Sequence, residues 1–326
     1  MAESAPSDGG SQYQVQIKKF AFPGQLLDTR FRLFGKIEIH AHSSLLKMHS
    51  AFFRKFMDSP DKLPAKTGAA LAYEWVDEVD DDGSGWHVVA DSNKQGPSKS
   101  LQGRSEPEID SFVAMLNCIY RIPFKVDPEQ LVELTKLADY YRCLPAASNN
   151  LYACFYMSPN FDIHKAYDLI ESAYKLRHPL LFRDCVIYIA GTMRQTPKFP
   201  LKNKDPNIQQ ALKQALMTVR NKIFENLLIA YESVHSTACQ YDEPLFKAMK
   251  EASMNVLEKG KFFHPEFFRT LVDQEEEFLD DLETVLSGNL QLDSSAMAGI
   301  GRYDDHFFCA SLSDEELPWD TTETDW

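Results

Sequence analysis

Apolar and polar positions alternate with period two near the start of the chain. In "FRLFGKIEIHAH" (residues 31–42) two short alternating runs flank Gly35-Lys36, the pattern of a β-hairpin, and the stretch from Gln14 to Ile39 reads as extended. The period then lengthens. Ser43 to Met57 has helical spacing with a break of phase near Ser50, and it stops at "DSPDKLP" (58–64), where two prolines cannot continue a helix. Alternation returns in "YEWVDEVDDDGSGWHVVAD" (73–91), whose acidic Gly-Ser-Gly centre predicts a second hairpin. A polar loop over 92–108 follows.

From there the pattern is helical. Phe112, Met115, Leu116 and Ile119 share one face, Pro128 opens a helix bearing Leu131, Leu134, Leu137, Ala138 and Tyr141, and a third helix runs from Ala146 to Tyr156. "SPNFD" (158–162) predicts a seam between domains. Beyond it Ala166, Leu169, Ile170, Ala173 and Leu176 keep helical spacing. "RHP" turns the chain, with Pro179 suited to a first helical position, and Phe182, Cys185, Val186 and Ile189 resume the pattern. Amphipathic stretches over 207–231, 243–258 and 264–286 make the second half all-α. The expected organisation is a disordered leader (1–20), an α+β domain (21–157), an all-α domain (160–287) and an acidic disordered tail (288–326).

Composition narrows the chemistry. The 326 residues are 44% hydrophobic and 25% charged, as in globular proteins, with no apolar run of membrane-spanning length. The first residues, "MAESAPSDGGSQ", lack the basic start and apolar core of a secretory signal. The six cysteines form no CxxC pair and no regular spacing, which favours a reduced, intracellular protein of cytoplasm or nucleus. The net charge of −14 is uneven: residues 273–326 hold 16 acidic residues and one arginine (−15), leaving 33 basic against 32 acidic residues in the remainder. A neutral body with an acidic end lacks the basic face that direct nucleic-acid binding needs.

Candidate chemistry is sparse. His40, His42 and His49 are crowded, but zinc usually takes four ligands, often with thiolates, and no cysteine precedes Cys118. In the acidic hairpin tip, Glu78, Asp80 and Asp82 would supply early calcium ligands with Gly83 at the turn, yet Val89 stands where a bidentate glutamate is required. No nucleophile elbow, Walker loop, dinucleotide fingerprint or HExxH motif occurs, and Asp280-Asp281 reads as a solvated charge run. The expectation is a non-enzymatic protein with no metal, no cofactor, no small-molecule substrate and no membrane contact.

Three spacings then gain meaning together. His42-x₃-Leu46-x₃-Ser50-x₂-Phe53 follows a hairpin and enters a short helix; Phe112-x₃-Leu116-x₃-Tyr120 ends a helix on an aromatic; Ala138-x₂-Tyr141-x₂-Leu144 ends the next. In this order, over residues 42–144, they resemble the framework of the BTB (POZ) domain. The stretch over 160–195 resembles the helix pairs of BACK-type extensions, and the likeness is to fungal BTB proteins without kelch repeats. The resemblance implies an interaction module: a homodimer, a substrate adaptor for a cullin-family ubiquitin ligase, or a corepressor-recruiting regulator. It also implies a partner surface, for which Phe56, Met57 and Phe124 are the candidates, while Phe53 and Tyr120 read as core.

Two departures bear on that. No glutamate lies between Arg54 and Tyr73, where cullin-binding members often carry an apolar-x-Glu motif, and Ser43 follows His42 where transcription-factor members pair an early aspartate, here Asp28, with a basic residue. The acidic end is a second candidate for binding. "SLSDEELPWDTTETDW" sets Leu312, Leu317, Trp319 and Trp326 among carboxylates, with Ser311 and Ser313 upstream of an acidic run that suits an acid-directed kinase.

Overall fold

A computed structural model describes residues 15–60, 71–91, 94, 100–159, 161–191, 205–236, 268–269, 286–293, 298, 303, 310–324 and 326. The protein is of the α+β class, with a five-stranded sheet and eight α-helices among the described residues. Its strands are β1 (Gln16–Lys19), β2 (Thr29–Leu33), β3 (Ile37–Ala41), β4 (Tyr73–Val79) and β5 (Trp86–Ala90). The sheet order is β1-β3-β2-β4-β5, with β2 antiparallel to β3, β4 antiparallel to β5, and the pairs β1–β3 and β2–β4 parallel.

Both expected hairpins are present. The first turns one residue earlier than the spacing suggested: Lys36 N–H donates to the Leu33 carbonyl at 3.0 Å, and the central residues are Phe34 and Gly35, with φ of 51° and 67°. Positive φ at both positions matches the right-handed twist of the strands, and Phe34, which lacks glycine's freedom, is steadied by donating its N–H to Asp77 at 2.7 Å. Contrary to the expected leader over 1–20, Gln16–Lys19 is a strand, registered on Ile37–His40.

The period of two sorts side chains between the sheet's faces. Phe31, Leu33, Ile37, Ile39, Ala41 and Trp75 are buried on one. On the other, Arg30 of β2 meets Glu74 of β4 at 2.7 Å and Arg32 meets Asp91 at 3.2 Å, while along β3 the His40 Nε2 lies 2.5 Å from Glu38. A one-residue slip would drive these charges into the core, so the register is strongly specified.

The helices are α1 (Ser43–His49), α2 (Ala51–Phe56), α3 (Ser105–Ile119), α4 (Pro128–Tyr140), α5 (Leu144–Tyr156), α6 (Ala166–Lys175), α7 (Pro179–Gly191) and α8 (Pro206–Ser236). Helices α3, α4 and α6 are each followed by an arginine with positive φ, Arg121, Arg142 and Arg177, and the next N–H in each case bonds back five residues, closing the helix end. The chain forms two compact units, one of residues 1–122 and 136–146, the other of 123–135 and 147–326. The division therefore falls inside α4 and α5, not at the expected seam over 158–162. A turn made by SPNFD is a local feature, whereas membership of a core depends on which side chains a helix buries along its length. The amphipathic stretches expected over 243–258 and 264–286 lie almost wholly outside the described residues, as do Cys239 and Cys309.

Candidate interaction site

In the β-containing unit, the residues spaced along the sequence as a framework bond to one another. His42 closes the hairpin, and its N–H donates to the Tyr120 hydroxyl at 2.7 Å, while its Nδ1 lies 3.1 Å from the same oxygen. Burial pushes the Tyr120 phenol up to about 12, so the group stays a hydroxyl and has a proton to give to Nδ1. Ser50 sits between α1 and α2. Its hydroxyl accepts the Phe53 N–H at 3.1 Å, capping α2, and donates to the Tyr141 carbonyl at 2.6 Å. Phe53 stacks on Tyr141 with centroids 5.5 Å apart, and the Tyr141 hydroxyl accepts the Val88 N–H at 3.0 Å. Leu46, Phe112, Leu116, Ala138 and Leu144 complete the buried set. These residues are structural supports and leave no reactive group facing solvent.

Asp28 supplies a link that spacing alone did not reveal. Its carboxylate accepts both the N–H of Ser43 at 2.7 Å and the Ser43 hydroxyl at 2.5 Å, so a negative charge caps the N-terminus of α1 from outside the helix. Where the resemblance would set a basic residue beside this aspartate, a serine hydroxyl satisfies it.

The expected partner surface needs correction. Phe56 is 43% exposed, but Met57 is 1% exposed and belongs to the core. Met57 N–H bonds to the Phe53 carbonyl at the end of α2, and the last turn points the side chain inward. Phe124 is half-buried and belongs to the other unit.

The helical unit holds the larger departure. Residues 310–324 and Trp326, expected to be disordered, are ordered against it. Ser313 and Glu316 form a reciprocal capping box around a 3-10 turn, Asp314–Glu316. Leu312 and Leu317 are buried, and Ser311 and Ser313 are exposed. Arg183 of α7 donates from Nε to the Leu312 carbonyl at 2.8 Å and pairs with Asp314. Trp319 stands edge-on to Phe182, centroids 5.1 Å apart. Acidic composition alone suggested an unfolded segment; the arginines that neutralise it lie more than a hundred residues away. The signal available in the sequence was Arg183-Asp184, a charged pair inside the apolar run "LLFRDCVIY".

Asp184, its neighbour, is buried, and one carboxylate oxygen accepts the N–H groups of Gln291 and Leu292 at 3.0 and 2.7 Å. Burial raises its pKa to about 6, against the pull of those two donors. His178 is fully buried beside Tyr152 and Phe155, and its Nδ1 accepts the Leu181 N–H at 3.2 Å across the first turn of α7. Desolvation lowers its pKa to about 3, so it is neutral. Cys118, Cys143, Cys154 and Cys185 are buried and form no disulfide among the described residues, and burial raises the Cys143 thiol to about 12. Such thiols are inert.

Among the described residues no group of three or more His, Cys, Asp or Glu side chains is arranged to hold a metal ion, and no helix is long and apolar enough to cross a membrane. Glu78 and Asp80 instead flank His87 across the second hairpin, at 3.7 and 3.4 Å, and Asp82 accepts from Ser84. Comparison with known proteins returned no matching family model, no matching curated protein and no matching solved structure.

Proposed function

We propose that the chain is a non-enzymatic protein–protein interaction module of the BTB (POZ) type with a BACK-like helical extension, acting as a substrate adaptor for a cullin-family ubiquitin ligase. The observation that carries this reading is the mutual bonding of the residues on which the resemblance rests: His42 with Tyr120, Ser50 with Tyr141, and Phe53 stacked on Tyr141. Spacings that were only apolar periodicity would not require these hydroxyl-to-backbone links. Of the partner-surface candidates in this unit, Phe56 at the end of α2 is the one whose side chain is exposed. The test is the solution mass of the full chain, alone and mixed with a cullin scaffold, by light scattering. A defined complex that Phe56→Asp abolishes is the expected result, and the absence of any mass shift would overturn the adaptor role.

A second reading, a scaffolding or transcription-associated regulator that self-associates, is favoured by the lack of a glutamate between Arg54 and Tyr73. Ser311 and Ser313, exposed beside Asp314, Glu315 and Glu316, would then be targets of an acid-directed kinase. A concentration-dependent homodimer in the same experiment, without cullin binding, would select it.

A further inference from the structure

Residues 310–326 carry six carboxylates and no basic side chain. Among the described residues they are held on the helical unit by side chains from α6–α8 and the turn after α6, and by Asn289, which donates to the Ala310 carbonyl at 3.2 Å. Arg183 takes the Leu312 carbonyl and Asp314. Arg177 pairs with Glu323 at 2.6 Å and lies over the Trp326 ring at 5.1 Å from its centroid. Gln214 of α8 donates to Glu316 at 2.9 Å. Trp319 rests between Phe182 and Tyr174, with centroids 5.1 and 6.2 Å away.

This is the chemistry of a peptide in a receptor. The segment is linear, its 3-10 turn is capped by its own residues, and its acidic side chains are largely exposed among the described residues. Half-exposed ion pairs are individually weak and screened by salt, so tethering to the same chain supplies much of the occupancy. The receptor side is preformed by packed helices and the turn between α6 and α7: two arginines six residues apart, with an aromatic pair, Tyr174 and Phe182, for the Trp319 indole.

We propose that the surface formed by Tyr174, Arg177, Phe182, Arg183 and Gln214 is a binding site for acidic peptides carrying Leu-x-Trp, and that residues 310–326 are its resident, displaceable occupant. The chain masks its own site until a partner peptide of the same chemistry competes. This inference is independent of the BTB reading, because it uses only the helical unit.

The probe is a fluorescein-labelled peptide of residues 310–326, read by anisotropy against the full-length chain. Trp319→Ala, or the exposed Glu323→Lys, loosens the resident segment, and each variant is expected to bind the peptide at least tenfold more tightly than the wild type. Adding Arg183→Asp removes that binding, and a peptide carrying Asp314→Arg restores it. Equal affinity for the wild type and both loosened variants, no binding to either variant, or binding indifferent to Arg183→Asp would each overturn the proposal. So would loss of helical circular dichroism in Glu323→Lys, since the segment would then be an integral part of the fold.

Discussion

The Tyr120 hydroxyl accepts the His42 N–H at 2.7 Å across 78 residues of chain, tying the end of the first hairpin to the end of α3. Both groups are buried, and the bond satisfies a backbone donor that water cannot reach. Tyr120→Phe keeps the ring against Phe20 and Phe22 but orphans that N–H. The expected cost is about 1–3 kcal/mol in chemical denaturation. A change below a few tenths of a kcal/mol would mean that the link is dispensable.

Ser50 performs two tasks with one oxygen, capping α2 and donating to the Tyr141 carbonyl. Ser50→Ala should lower stability by about 1–2 kcal/mol. Ser50→Thr retains the hydroxyl, so the comparison of the two variants by thermal melting separates hydrogen bonding from packing.

Adjacent positions 56 and 57 should respond very differently to the same substitution. Met57→Asp buries a carboxylate in the core and is expected to cost at least about 2 kcal/mol. Phe56→Asp loses the ring contact with Phe52, centroids 4.8 Å apart, and should cost about 0.5–1 kcal/mol. Urea titrations of both variants check this, and only Phe56→Asp is fit to report on partner binding.

Two buried groups of the helical unit give opposite pH dependence. His178 has its pKa lowered from 6.5 to about 3 by desolvation, so its contribution is fully present above pH 6.5 and is lost as pH falls through that window. Asp184 has its pKa raised from 3.8 to about 6, so it disfavours the folded state above pH 6 and this penalty fades as pH falls towards 3.8. Asp184→Asn keeps an oxygen to accept the Gln291 and Leu292 N–H groups. It should stabilise the protein at pH 8 by on the order of 1–2 kcal/mol, with the advantage shrinking below pH 6. Stability curves of the wild type and Asp184→Asn at pH 5 and 8 decide it: a constant difference would contradict a buried, titrating carboxylate.

How much of this was legible beforehand differs by element. The alternation around Gly35 and that around Gly83 each marked a hairpin, because period two is a property of neighbouring residues. The arrest before Pro60 and the phase break at Ser50 were equally local, and the Ser50 cap needs only Phe53, three residues on. By contrast, nothing near Asp28 announced that its carboxylate would cap α1 through Ser43.

Among the described residues the sequence by itself determined β2 to β5 and most of the helices, and which face of each is apolar, since these follow from side-chain period and from the φ limits of proline and glycine; β1 fell in the expected leader. Only the tertiary structure decided the order β1-β3-β2-β4-β5, the division inside α4 and α5, the burial of Met57 beside an exposed Phe56, and the ordering of the acidic end. Each depends on partners distant along the chain: Arg183 meets Asp314 across 131 residues. A run of carboxylates reads as solvated until the fold supplies the guanidinium groups and aromatic rings that meet it.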